Sequence, residues 1–200
     1  MSTVNTSARS SYHHGDLRAA LVRLATAKTA QGGPESVSLR EIAREAAVSS
    51  SAAYRHFSSK DELLQAVQQV VLEALSERMQ RALEGSGSTD PFHRLRASGR
   101  AYVRFAIEEP MLFRSMSSGF PLPEGTWAGS PLGDLLDLVR AALPDHDEQE
   151  VTEQSVALWS MVHGFAILCT QGALKDIEAA GQEHLLEAAL DLAIRGLHES

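Results

Sequence analysis

The sequence predicts an all-α chain in two parts: a three-helix head at the N-terminus and a larger helical bundle after it, about nine helices in all. Three observations predict it. Apolar residues recur at helical spacing along almost the whole length, and no segment alternates with period two. Gly, Pro and Ser clusters punctuate those runs at helix-sized intervals. Charge is split along the chain: the net charge is −8, yet residues 1–60 carry eight Lys/Arg and four Asp/Glu. A basic head on an acidic body is the arrangement expected if only the head meets phosphates.

The elements follow in order. Residues 1–11 are Ser/Thr-rich, lack periodicity and read as a disordered arm. From Asp16 a first helix shows Leu17, Leu21, Leu24 and Lys28 on one face, and Gly32-Gly33-Pro34 ends it. Ser38 with Glu41 three positions on has the form of a capping box, followed by a face of Leu39, Ile42, Ala43 and Ala46. A third helix runs from Ser49 to about His56. Ser58-Ser59-Lys60-Asp61 opens a long fourth, with Leu64, Val67, Val71 and Leu75 inward. After the connector at residues 85–91, helices are expected over 92–107, 111–117 and 132–143, then two long ones near 147–171 and 182–198. The domain division is therefore 12–60 for the head and 61–200 for the body.

In the 147–171 helix, Val151, Ser155, Leu158, Val162, Phe165 and Cys169 advance by 4, 3, 4, 3 and 4, a heptad-like seam. Val156, Trp159, His163 and Ile167 form a second stripe beside it, so this helix is expected to be buried on more than one side. Leu186, Ala189, Leu190, Ala193 and Leu197 supply a matching stripe on the last helix. Two such helices from each of two chains make a four-helix interface. The seam residues, with Leu186, Leu190, Ala193 and Leu197, are the expected homodimer contacts, the alternative being that both faces are covered within one chain; the family resemblance given below is what chiefly favours the dimer.

The first half also carries the chemistry. Residues 39–57 read as a helix, a tight Ala-Ala-Val-Ser turn and a short second helix: a helix-turn-helix. Ala43, Ala46 and Ala47 are small enough for the helices to cross closely, while Val48, Ala53 and Phe57 fill the gap between them. The second helix opens with Ser49, Ser50 and Ser51; Ser49 suits an N-cap, and short polar side chains admit a groove. Tyr54, Arg55, His56 and Lys60 offer donors to backbone oxygens, and Ser38 and Arg40 lie at the start of the preceding helix. His13-His14 has no partners at metal-ligand spacing. No metal or cofactor is called for, and no nucleophile elbow or phosphate loop points to an enzyme.

Ile42-Ala43, Ala47-Val48-Ser49 and Tyr54-Arg55-His56-Phe57-Ser58-Ser59-Lys60-Asp61-Glu62-Leu63-Leu64 together resemble the signature of tetracycline-repressor (TetR) family regulators. Tyr12-His13-His14-Gly15-Asp16-Leu17-Arg18 resembles openings found in that family, so the likeness spans about residues 12–67. Trp159-Ser-Met-Val-His163-Gly164 resembles a Trp-His-Gly feature of one subgroup's C-terminal domain. Two positions depart from the common pattern: Ala47 stands where many members have Gly in the turn, and Ala52 where many have Thr.

The resemblance implies that the 49–56 helix enters the major groove of a roughly palindromic double-stranded operator. It implies a repressor released when a small apolar or amphipathic ligand occupies the body; an activator, or a regulator acting on a protein partner, are the alternatives. Large adaptable side chains mark the expected ligand contacts: Tyr102, Phe105, Met111, Phe113, Met116, Phe120, Trp127, Trp159 and His163. One cysteine, no membrane-length apolar run and no apolar core near the N-terminus place the expected protein in the cytoplasm.

Overall fold

The structure, a computed structural model, describes residues 14–117 and 130–199. Those residues form nine α-helices and a 3-10 turn, with no strand. The head comprises α1 (His14–Gly32), the 3-10 turn (Pro34–Ser36), α2 (Leu39–Glu45) and α3 (Ser50–Tyr54). Then come α4 (Lys60–Gly85), α5 (Pro91–Glu108), α6 (Pro110–Ser117), α7 (Pro131–Ala142), α8 (Glu148–Gln171) and α9 (Ala179–Glu199). No helix among the described residues is long and apolar enough to cross a membrane. The expected arm at 1–11 lies outside the described residues, as do Phe120 and Trp127.

Head packing follows from the apolar periodicity. Leu21, Ala25, Ile42, Ala43, Ala53 and Phe57 are buried together, and the Arg18 guanidinium lies 4.8 Å over the Phe57 ring. The expected capping box at Ser38 does not form: Ser38 occupies the N-cap position, but its hydroxyl accepts no backbone N–H. Burial of Leu39 and Ile42 holds this seven-residue helix instead. Ser59 does cap α4, accepting the Glu62 N–H at 3.1 Å, while the Glu62 carboxylate accepts the Ser58 N–H at 2.6 Å.

The turn between α2 and α3 is a Schellman motif. The Val48 N–H reaches the Ala43 carbonyl at 3.0 Å and the Ala47 N–H reaches Arg44 at 3.1 Å. It requires a left-handed residue, and Ala47 fills that place at φ 55°. An L side chain there costs roughly 1–2 kcal/mol, less the entropy that glycine would lose on folding. Ala47→Gly is therefore expected to raise stability by roughly 0.5–1 kcal/mol, read as a higher urea midpoint with unchanged slope.

In the body, α5 touches α4, α6, α7, α8 and α9. It approaches α9 so closely at Gly99 that an added Cβ would stand 2.9 Å from Leu190 Cδ2. An antiparallel ladder fixes the register of the two helices. Arg96 pairs with Asp191 at 2.5 Å, Arg100 with Glu187, and Arg104 with Glu183 at 2.6 Å. α8 begins with a capping box, in which Asp147 accepts the Glu150 N–H and Glu150 accepts the Asp147 N–H, both at 2.9 Å.

One expectation changes here. The seam of Val151, Ser155, Leu158, Val162, Phe165 and Cys169 is buried within the single chain, because α8 turns it toward α5, α7 and α9. Leu186, Leu190 and Leu197 are buried in the same way, and Ala193 packs half-buried against that core. Apart from half-buried Ala193, these side chains are covered by their own chain. The surface stripe of α8 is instead Ala157, Met161, Gly164 and Leu168, and that of α9 is Leu185, Ala189, Leu192 and Gly196. Both advance by 4, 3 and 4, so each is a second seam on the outside of the bundle.

Candidate nucleic-acid interface and effector cavity

Two places on the molecule carry the chemistry. The first is the outer surface of the helix-turn-helix. Ser49 spends its oxygen on the Ala52 N–H at 3.2 Å and lies 3.0 Å from the Ser51 hydroxyl, so it shapes α3 before it offers anything outward. Beyond it, Arg40, Ser50, Ser51 and Arg55 are exposed, and Tyr54 is 46% exposed on a helix whose inner residue, Ala53, is wholly buried. Ser38 and His56 are half-buried. The exposed row runs from the start of α2 along α3.

Lys60 is placed differently from a free surface cation. Its ammonium donates to the Glu35 carbonyl at 3.1 Å, tying the first turn of α4 to the 3-10 turn. The Glu35 carboxylate in turn pairs with Arg114 of α6. Its own backbone N–H, and then Arg114, hold that carboxyl below the usual range. Arg114 thus joins head to body, a role its sequence context gave no sign of.

The second place is a cavity between α4, α5, α7, α8 and α9. Its walls are almost wholly apolar: Met79, Leu95, Leu135, Leu158, Val162 and Ile194 are typical, with Ser98 and Tyr102 the polar members. Leu158, Val162 and Leu190, expected at a dimer interface, line this cavity instead. Its free volume of about 20 Å³ is little more than one water needs, so any larger occupant must part the walls.

Of the expected ligand contacts, Tyr102 and Trp159 line the cavity. His163 and Phe113 stand behind them. The Tyr102 hydroxyl is 2.8 Å from His163 Nδ1, Trp159 stacks on His163 at 5.0 Å, and Phe113 meets Tyr102 edge-on at 5.8 Å. Phe105 faces away, beneath the Arg78 guanidinium at 5.5 Å. Met111 and Met116 are half-buried on α6 and do not line it. The apolar liners Met79, Leu95, Leu135 and Ile194 carried no signal that separates a cavity wall from ordinary core.

Burial pushes the Tyr102 phenol pKa up and the His163 imidazole pKa down from 6.5. Both are neutral near pH 7, so the pair is an uncharged hydrogen bond. Because His163 resists protonation only when folded, the unfolded chain binds more protons just below pH 6.5. The stability this neutrality gives is full above 6.5 and is lost as pH falls through 6.5 toward the lower folded value. His163→Gln is expected to flatten that loss, seen as urea midpoints compared at about pH 7.5 and about pH 5.5.

Fold and sites define a class: a helix-turn-helix protein whose second part is a helical bundle with an apolar cavity. Residues 21–67 match the family described as bacterial regulatory proteins, tetR family, and residues 95–193 match the tetracyclin repressor-like C-terminal domain. An HTH-type transcriptional repressor from Mycobacterium tuberculosis is 30% identical over 126 residues, covering 62% of this chain and 60% of that protein. The match thus spans about three-fifths of the curated relatives' length. A protein with unknown function from Rhodococcus sp. RHA1 has the same fold at a TM-score of 0.74 and 27% identity, covering 94% of this chain and 98% of that one. A possible TetR family transcriptional regulator from Streptomyces coelicolor A3(2) shares the fold at a TM-score of 0.67 and 18% identity, covering 91% and 98%. The chain belongs to the tetracycline-repressor family.

Proposed function

We propose that this protein is a cytoplasmic, dimeric transcriptional repressor that holds a roughly palindromic operator through its two heads and leaves it when a small apolar or amphipathic ligand enters the body cavity. The observation that carries this reading is the exposed row Arg40, Ser50, Ser51, Tyr54 and Arg55 on a helix-turn-helix. It lies in the basic third of an otherwise acidic chain. Such a second helix docks in the major groove, with its N-terminal residues at base edges. The stacked Trp159 and His163, followed by Gly164, support the Trp-His-Gly subgroup.

Dimerisation is assigned to the outer stripes of α8 and α9. Gly164 and Gly196 sit inside helices, where glycine costs about 1 kcal/mol relative to alanine, and a Cβ added to either would meet nothing within 4 Å in this chain. A partner helix approaching both stripes gives these glycines a use.

Release follows if the ligand favours a head arrangement that does not fit the operator. A hundredfold preference corresponds to roughly 2.7 kcal/mol. The route from cavity to head is short: Tyr102 touches Phe113, and the next residue, Arg114, holds Glu35.

The test is selection of genomic fragments by the purified protein at near-physiological salt. One palindromic site should be enriched, its binding should weaken with added salt, and Arg40→Ala or Tyr54→Ala should lose it. No enriched site, both before and after stripping ligand by unfolding and refolding, would favour a protein partner. A site upstream of the promoter that raises transcription would make the protein an activator.

A further inference from the structure

Away from both sites, a polar groove runs along the outside of the body between α4 and α7, closed at one end by the start of α5. It consists of two adjoining depressions that share Gln80 and Asp134; one, of about 210 Å³, also contains Arg94 and Thr89. The other, of about 330 Å³, contains Ser76, Glu77 and Glu84.

Two features separate this groove from ordinary surface. Ser76 Oγ and Arg94 Nε are buried with no hydrogen-bond partner, and among the described residues no other side-chain atoms share that condition. Each lies at one of the two linked depressions. A buried polar atom without a partner costs about 1–3 kcal/mol, so such atoms normally find one in the protein, in water or in a ligand. The second feature is charge. Arg94, Asp134 and Asp137 line the same depression; Asp137 is paired with Arg140 at 2.7 Å, whereas no ion pair joins the half-buried Arg94 and Asp134, and neither has another partner among the described residues. Opposite charges facing one space without meeting leave room for a molecule with a negative and a positive end.

We propose that this groove binds an amino-acid zwitterion, its carboxylate on Arg94 and its ammonium on Asp134. The planar Arg94 guanidinium suits a carboxylate. Thr89 and Gln80 supply further hydrogen-bond partners beside it. Farther along, Glu77 and Glu84 are answered by Arg81 alone. A basic side chain is therefore accepted there, and an acidic one is repelled. The cavity at Trp159 has no charged lining residue, so the two sites take different chemistry.

Isothermal titration of the full chain with L-lysine, L-glutamate and cadaverine tests this. L-Lysine should bind with a Kd below about 1 mM. L-Glutamate should bind at least about ten-fold more weakly, and so should cadaverine, which lacks the carboxylate. Arg94→Gln and Asp134→Asn should each cost about ten-fold or more, while thermal melts confirm that both variants fold. An alternative probe of the folded protein is the amide spectrum: L-lysine should shift signals of α4 and α7 around Gln80 and Asp134, not those around Trp159. Water alone fills the groove if L-lysine gives no heat and no shifts at millimolar concentration, and that result overturns the proposal. Equal binding of cadaverine, or of the two variants, overturns it as well.

Discussion

Leu192→Arg should convert the protein to a monomer and reduce operator affinity by about two orders of magnitude or more. Leu192 is 69% exposed, the most exposed large apolar residue described, and lies at the centre of the outer stripe of α9. Leu185 on that stripe and Leu168 on the stripe of α8 are 39% and 44% exposed. In the proposed dimer a charge placed there would meet the same charge across a two-fold axis, and its desolvation would have no compensating partner. On the proposed two-headed binding, the loss of DNA affinity follows because one head would hold half the phosphate and base contacts, and the second would no longer arrive tethered to the first. Sedimentation velocity reads the mass and a titration on operator DNA reads the affinity. Gly196→Leu separates this account from a purely internal one. Within one chain a side chain at Gly196 has open space, so replacing glycine should stabilise an isolated helix by up to about 1 kcal/mol. At a close helix crossing the same change should drive the subunits apart. A variant that melts higher and stays dimeric would put the interface elsewhere.

The seam on α8 shows what the sequence could and could not convey. Its 4-3-4 spacing correctly marks Val151 through Cys169 as buried. Periodicity, however, reports only that a face is covered, not whether its own chain or another covers it. α8 has two such faces, and the more hydrophobic one went to α5, α7 and α9. The outer stripe, with Ala157 and Gly164, is weaker in hydrophobicity and gave a fainter signal. The head was more legible because its signals are local: a turn, a cap and a short apolar repeat within about twenty residues. Even there Ser38 failed as a cap, since the packing of a seven-residue helix decides its ends. The cavity was half legible. Aromatic residues of α5 and α8 stood out, but Met79, Leu95, Leu135 and Ile194 come from four different helices, and only tertiary packing brings them together. Arg114 was invisible for the same reason, because Glu35 lies far from it in sequence.

Phe113→Ala should lower stability by about 3–5 kcal/mol, a melting-temperature drop on the order of 10 °C. Phe113 is wholly buried. Its ring meets Tyr102 edge-on and lies 5.5 Å from the His163 ring, so truncation removes the wedge that holds α6 against the aromatic cluster. The cavity left behind is lined by rings already fixed by the Tyr102–His163 hydrogen bond, which limits collapse and keeps the cost high. Arg114→Ala, one residue on, should behave in the opposite way. Its ion pair with Glu35 is largely solvent-exposed, so its loss should change stability by at most about 1 kcal/mol. What it should change is communication, because α6 packs on α1 and on the 3-10 turn, and Arg114 is the ion pair by which α6 holds the head. In the variant the operator should still be bound, while a ligand that frees the wild-type protein should shift DNA affinity several-fold less. Melting curves for both variants, with operator titrations with and without ligand for Arg114→Ala, separate the two roles. If Arg114→Ala responds to ligand as the wild type does, the coupling runs along α4 without help from α6.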